Sequence, residues 1–393
     1  MQGMATYIPR LARQKMEQLL RSFPAVLVLG PRQCGKSTFA RKTVPTWKMF
    51  DMENQADYSL ISADIAGFLG RHPERIVLDE AQRLPGLFPA LRHAIDGKPG
   101  KGRFIILGSS SPSLRREISE SLAGRVGHLE LTPFLGSELA GKQKAIERPF
   151  WGGYPPVYSM KGGSARASWL DAYISDVIER DIPALGIRIP APRLRRLCEM
   201  LTHIHGGLLN LSDMARSLGV SYHTVADYLD VLEGSFLVRR LQPYYANISK
   251  RLTKSPKIYI RDTGLLHFLA GLRKPGELDS WPKRGSSFEG MVIEELVALA
   301  SLRHVRPGIF FWRTQAGAEV DLMLVLGTRV VPIEIKLSGT VDRHDVAGLR
   351  QCMADLGVKN GWVVTGGGRR TGIGKDIEIL PWSDIIRNGP EFL

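Results

Sequence analysis

An apolar run, Ala25-Val-Leu-Val-Leu29, breaks directly into Gly30-Pro-Arg-Gln-Cys-Gly-Lys-Ser-Thr38, and this junction constrains the fold more than any other stretch of the chain. The G-x-x-x-x-G-K-S spacing predicts a strand, a phosphate-cradling loop and a helix in immediate succession. Gly30 and Gly35 let the backbone curl so that successive N–H groups face phosphate oxygens. Lys36 is expected to neutralise the β- and γ-phosphates and the Ser37 hydroxyl to ligate Mg²⁺, while the following helix turns its positive end toward the same anion. The expected nucleotide-binding set is therefore Gly30, Pro31, Arg32, Gln33, Cys34, Gly35, Lys36, Ser37 and Thr38, with ATP and Mg²⁺ as the ligands.

Five apolar runs of strand length punctuate the first third: Ala25–Leu29, Lys48–Asp51, Arg75–Asp79, Arg103–Leu107 and Val126–Leu131. Helix-length segments separate several of them, which predicts a parallel sheet wrapped by helices. The third run ends in Asp79-Glu80, a carboxylate pair at the carboxyl edge where ligands gather in open α/β sheets. Asp79 is expected to hold Mg²⁺ through water, and Glu80 to orient and deprotonate the water that attacks the γ-phosphate.

Gly30–Ser37, Leu-Asp-Glu-Ala-Gln (Leu78–Gln82), Leu-Gly-Ser-Ser (Leu107–Ser110), Ser-Leu-Ala-Gly-Arg (Ser121–Arg125) and Gly-Gly-Tyr-Pro (Gly152–Pro155) together resemble the AAA+ ATPases. The resemblance is strongest to the prokaryotic group that fuses this module to a C-terminal domain of unknown function, and it covers nearly the whole chain. It implies that Ser109 or Ser110 stands where the general pattern has Asn at the end of the fourth strand. It also implies a hexameric ring, with Arg125 as the arginine reaching a neighbouring subunit's γ-phosphate; a solvated arginine before a strand is the alternative for that residue. Residues 136–189 are helical in pattern, with Trp169, Ala172, Tyr173, Asp176, Val177 and Arg180 spaced by three and four, and are expected to form the helical lid.

A length of 393 residues allows two or three domains, and an apolar share of 44% suits globular ones. No run of about 18 apolar residues exists, so no membrane-spanning helix is expected. Cys34, Cys198 and Cys352 are odd in number and far apart, which fits a reducing cytoplasm rather than a disulfide framework. The net charge of +14 favours a polyanionic partner, nucleic acid first.

Past Pro190 and Pro192, Leu211–Val225 reads as a helix, a turn at Gly219 and a second helix capped by Ser221. This is the spacing of a helix-turn-helix that presents Tyr222, His223 and Thr224 at the start of its recognition helix. Leu237–Leu241 reads as a wing strand. Asp227, Asp230 and Glu233 oppose deep insertion into a groove, whereas Lys250, Arg251, Lys254 and Lys257, downstream of Tyr244 and Tyr245, suit sequence-independent phosphate contact. A winged helix that serves only for packing is the alternative.

In the last third, alternation puts Glu319 and Asp321 on one face of a strand, and Glu334 and Lys336 on one face of the next. With Glu289 on a preceding helix, the pattern resembles the PD-(D/E)XK nuclease fold. The resemblance implies Mg²⁺ on Asp321 and Glu334, support from Glu289, and a water activated by Lys336. A surface ion pair between Glu334 and Lys336 is the alternative.

The expected architecture is thus α/β throughout: an AAA+ P-loop core (1–135), a helical lid (136–189), a winged helix with a basic loop (190–275) and a nuclease-like domain (276–393). The expected function is a cytoplasmic, ring-forming ATPase that translocates along duplex DNA or migrates branches. An ATP-gated metal-dependent nuclease and a nucleotide-dependent protein scaffold are the alternatives.

Overall fold

All five apolar runs of the first third form strands, β1 (Ala25–Leu29), β2 (Lys48–Asp51), β3 (Ile76–Asp79), β4 (Phe104–Gly108) and β5 (Val126–Glu130). The computed structural model describes residues 7–84, 86–108, 118, 120–142, 144–184, 189–244 and 255–393. The strands make one sheet in the order β2-β3-β4-β1-β5 with every pairing parallel. β1 and β4 read as continuous apolar runs because both faces of each are covered: Val26, Leu27, Val28, Ile105, Ile106 and Leu107 are all buried. β4 lies between β1 and β3, so the Gly30 loop and Asp79 leave the same carboxyl edge on either side of it. The first helix of interest, α1 (Lys36–Thr43), opens immediately after Gly35.

The chain divides into two compact units, the first running through Phe134 and the second made mainly of Leu135–Gly153, Val157–Glu233 and Leu237–Leu393. Of the segment expected as a lid, Tyr154–Pro156 fall in the first unit and the rest in the second. Gly136 and Ser137 donate their backbone N–H groups to the fully buried Glu295 at 2.7 and 2.9 Å, and Gly153 N–H donates to Asp262 at 2.7 Å. Arg180 in this segment pairs with Asp176 and Asp181, a local role.

Three further helices, α2 (Ala191–His203), α3 (Leu211–Leu218) and α4 (Tyr222–Gly234), carry the helix-turn-helix pattern. Asn210 caps α3 through Ser212 and Asp213 N–H, and Gly219 ends it at φ 64°, a conformation costly for any residue with a Cβ. Ser221 Oγ accepts from Thr224 N–H at 3.1 Å to start α4, and Val225, Leu229 and Leu232 are fully buried.

The second sheet has eight strands. They are β6 (Val238–Pro243), β7 (Lys257–Ile260), β8 (Gly308–Arg313), β9 (Glu319–Leu326), β10 (Arg329–Lys336), β11 (Gly361–Thr365), β12 (Thr371–Ile373) and β13 (Ile377–Pro381), in the order β12-β13-β11-β10-β9-β8-β6-β7. The expected wing strand, β6, pairs antiparallel with β7 and parallel with β8. The helix-turn-helix segment and the C-terminal region therefore share one sheet through β6 and β7. The long helix α5 (Arg284–Arg303) packs against β9 and β10.

His267 is buried within the second unit, 1% exposed, with Nδ1 2.9 Å from Phe150 O and Nε2 2.8 Å from Ser287 Oγ. Burial lowers its imidazole to about 4. Because the folded value lies below the unfolded one of about 6.5, the unfolded chain binds the extra proton between them. The contribution of His267 is then fully present above that range and lost as the pH falls through it. Urea melts of wild type and His267→Gln should show their stability difference shrinking by about 1 kcal/mol as the pH drops from 6 to 5. A constant difference would mean that His267 titrates like a solvent-exposed imidazole.

Candidate active site

The phosphate loop is held from three sides. A Cβ on Gly30 would lie 2.1 Å from Leu131 O, so only glycine lets the loop pass that close to the strand neighbour's exit. Gly35 adopts φ 97° and Gln33 φ 56°, left-handed values that turn the loop inward on itself. Cys34 is fully buried and its thiol faces Leu131 O at 3.3 Å; burial pushes the thiol up, with Lys36 and Arg10 pulling the other way. Pro31 is buried, Arg32 half-buried, and Gln33 and Thr38 are exposed.

Arg10 is the brace that sequence reading missed. It is 6% exposed; its guanidinium donates to Cys34 O at 2.9 Å and to Thr132 O and Pro133 O, and it lies 5.0 Å above the Phe134 ring. The loop carbonyl and the chain leaving β5 are thus joined through one planar cation. Sequence distance hides this: Arg10 stands 24 residues before Cys34 and 122 before Thr132.

Lys36 is buried, its ammonium 3.1 Å from Gly30 O and 3.0 Å from Pro31 O, inside the curl of the loop. The Ser37 hydroxyl hydrogen-bonds the Asp79 carboxylate, bringing together the two side chains expected to share Mg²⁺. Burial raises the Asp79 carboxyl, the Ser37 contact opposes the rise, and Glu80 N–H donates to Asp79 Oδ1 at 3.0 Å. Both partners are hard oxygen donors at the mouth of the loop, a set that suits Mg²⁺ bound together with substrate phosphates.

Glu80 adopts φ 49°, strained for a residue with a side chain. Burial pushes its carboxyl above the usual range, Lys36 draws it back, and Gln82 donates to its Oε2. A carboxylate raised toward neutrality and fixed by one amide is equipped to accept a proton from water. Glu53 accepts from Arg32 at 3.0 Å and from Arg83 at 2.7 Å, linking the loop to the segment after Glu80.

Arg125 is not brought to this site. It precedes β5, whose Val126 pairs with Ala25, so it lies at the amino edge of the sheet, opposite the loop. Its guanidinium makes a bidentate pair with Asp96 at 2.6 and 2.9 Å. Ser109 and Ser110 lie outside the described residues, as do Lys250, Arg251, Lys254 and Tyr245.

Lys257 requires a correction. Expected as a DNA-contacting cation, it is 2% exposed on β7, its ammonium 3.0 Å from Glu289 Oε1, 3.2 Å from Asp321 Oδ1 and in contact with Glu319 Oε1. Burial alone would lower this ammonium, yet Glu289 and Asp321 carry it well above its ordinary value. Burial and Asp321 raise Glu289 to about 7 and Glu334 to about 8. Lys336 Nζ lies 2.9 Å from Glu334 Oε1. Glu289, Asp321 and Glu334 are brought near one another, but with an ammonium among them. Among the described residues, no group of three or more His, Cys, Asp or Glu side chains is arranged to hold a metal ion.

Three family profiles match successive stretches: an AAA domain over residues 22–140, a domain of unknown function (DUF8612) over 142–276, and another (DUF4143) over 284–385. Two uncharacterized proteins, from Mycobacterium tuberculosis (strain ATCC 25618 / H37Rv) and Mycobacterium bovis (strain ATCC BAA-935 / AF2122/97), are each 40% identical over 385 residues, covering 97% of this chain and 85% of theirs. The chain belongs to their family. It carries an AAA-type ATPase domain followed by DUF8612 and DUF4143 regions. A Walker-type ATPase of Pyrococcus abyssi aligns at 17% identity with a TM-score of 0.45, covering 67% of this chain and 96% of that one. No helix among the described residues is long and apolar enough to cross a membrane.

Removing the brace should loosen the loop without touching any phosphate-facing side chain. Arg10→Ala is expected to weaken ATP affinity about tenfold, roughly 1.4 kcal/mol, in equilibrium binding of a fluorescent nucleotide. Arg10→Lys, with a compact ammonium in place of a planar fork, should recover only part of that loss.

Proposed function

We propose that this protein is an ATPase whose turnover at Lys36, Ser37, Asp79 and Glu80 drives an action on DNA, with translocation along duplex or branch migration at a junction as the output. Within the ATPase step, Lys36 neutralises charge on the β- and γ-phosphates. Glu80 orients the attacking water and takes its proton while the loop N–H groups hold the phosphates in line. Ser37 and, through water, Asp79 would hold Mg²⁺, which when bound would supply charge neutralisation on the phosphate oxygens.

The DNA part of the reading is carried by α3 and α4. Tyr222 is 50% exposed and His223 exposed at the start of α4, their rings 5.5 Å apart, at the end of the helix that a helix-turn-helix offers to a groove. The acidity of α4 is locally offset: Arg240 pairs with Asp230 at 2.6 Å and Glu233 at 2.5 Å. The net charge of +14 favours the same class of partner. A hexameric ring would give Arg125 a neighbouring γ-phosphate to reach after release from Asp96.

Steady-state ATP hydrolysis with no DNA, linear duplex and a four-way junction tests the proposal. Stimulation by DNA, largest with the junction and falling steeply between low and moderate salt, is the expected result. A rate indifferent to all three would turn the search to protein partners. In the same assay Lys36→Ala should lose nucleotide binding, whereas Glu80→Gln should bind ATP and turn over at least about a hundredfold more slowly.

A further inference from the structure

The second carboxylate cluster disagrees with the metal chemistry that its residue types suggest. Four carboxyl groups, Glu289 on α5, Glu319 and Asp321 on β9 and Glu334 on β10, converge beneath β7. Among the first three stands the Lys257 ammonium, carried by β7 and lying 5.8 Å over the Phe311 ring. It contacts Glu289, Glu319 and Asp321 together. Two oxygens facing away from it are committed elsewhere: Asp321 Oδ2 accepts from Ile335 N–H at 2.9 Å, and Glu319 Oε2 accepts from Arg313 at 2.6 Å. Tyr259 donates to the Glu289 oxygen that also meets Lys257, and Lys336 holds Glu334 Oε1 at 2.9 Å. Among the described residues, Glu334 Oε2 is buried without a hydrogen-bond partner. Magnesium is usually held by one or two carboxylates together with waters or phosphates; here Glu289, Glu319 and Asp321 each give an oxygen to the Lys257 ammonium instead, and Glu334 gives one to Lys336.

We propose that the Lys257 ammonium is a built-in counter-ion standing where a divalent cation would otherwise sit among Glu289, Glu319, Asp321 and Glu334, so that this cluster ties β7, β9 and α5 together and takes no metal. Lys257 is suited to this. It is anchored at both ends of its side chain, by the pairing of its strand with Leu241 on β6 and by the carboxylates at its tip. An ammonium is a compact point charge with three donors, matched here by three carboxylates. The proposal stands apart from the DNA-linked reading, since it concerns only the second sheet and holds or fails whatever DNA does to ATP turnover. It does remove the basis for an ATP-gated, metal-dependent nuclease at this cluster.

The test is a Mn²⁺ titration of the full-length protein without nucleotide, with free Mn²⁺ read by electron paramagnetic resonance. Asp79→Asn serves as the background, to silence the ATPase metal ligand. Asp79→Asn and Asp79→Asn/Asp321→Asn should bind Mn²⁺ identically; a saturable Mn²⁺ per chain that disappears with Asp321→Asn would overturn the proposal. Adding Lys257→Gln to the Asp79→Asn chain should create a Mn²⁺ site at least about tenfold tighter than anything in the parent. A folded Lys257→Gln protein that gains no Mn²⁺ would also overturn it. Circular dichroism establishes whether that variant folds; if it does not, the comparison with Asp321→Asn decides alone.

Discussion

Burial of β1 on both faces is the constraint on which the nucleotide site depends. A strand enclosed by apolar layers has no room for polar chemistry along its length, so function can leave it only at its ends. With β4 on one side and β5 on the other, the carboxyl end of β1 opens onto the phosphate loop, and β3, one strand further, delivers Asp79 to the same edge. The hydrogen bond between Ser37 and Asp79 is the product of that order. It joins the start of a helix to the end of a strand that are 42 residues apart only because one buried strand lies between them.

The two acidic sites of the molecule make an instructive contrast. Asp79 is hydrogen-bonded by a hydroxyl and a backbone N–H, neutral donors that a metal and phosphates can join or displace at modest cost. Asp321 is hydrogen-bonded by a backbone N–H and an ammonium, and the second of these is itself enclosed. Removing one charge from such a buried group leaves the others uncompensated, a penalty of several kcal/mol. The first arrangement is open to exchange and the second is closed by its own chemistry, although both begin as carboxylates carried on strands.

What was legible in the sequence follows the distance over which each interaction acts. The five parallel strands, the Gly30–Ser37 loop, the Asp79-Glu80 pair and the caps at Asn210 and Ser221 depend on neighbours within a few residues, and their patterns could be read directly. Lys257 closes a run of basic residues and reads as its last surface cation. Only the pairing of β7 into an eight-stranded sheet turns it inward, toward Asp321 64 residues away. Arg125 looks like a loop arginine, and only the register of β5 against β1 shows that it lies at the amino edge of its own sheet, away from its own phosphate loop. Gly136–Leu139 and Lys144–Trp151 are helical as their pattern implies, but no local signal tells that Glu295 and Asp262 will anchor this segment. Arg10 carries no motif at all; its role exists only once Cys34 and Thr132 have been folded together.

The approach of Gly30 to Leu131 has a mechanical meaning. With no side chain between them, the loop's first residue and the chain's departure from β5 are in direct backbone contact, backed by Cys34 and Arg10. Three residues later, at Phe134, the polypeptide leaves the first unit. A close-packed contact transmits displacement rather than absorbing it. Any adjustment of the loop by a few tenths of an ångström on meeting a phosphate must therefore pull on that outgoing strand of chain, which makes the glycine the short arm of a lever.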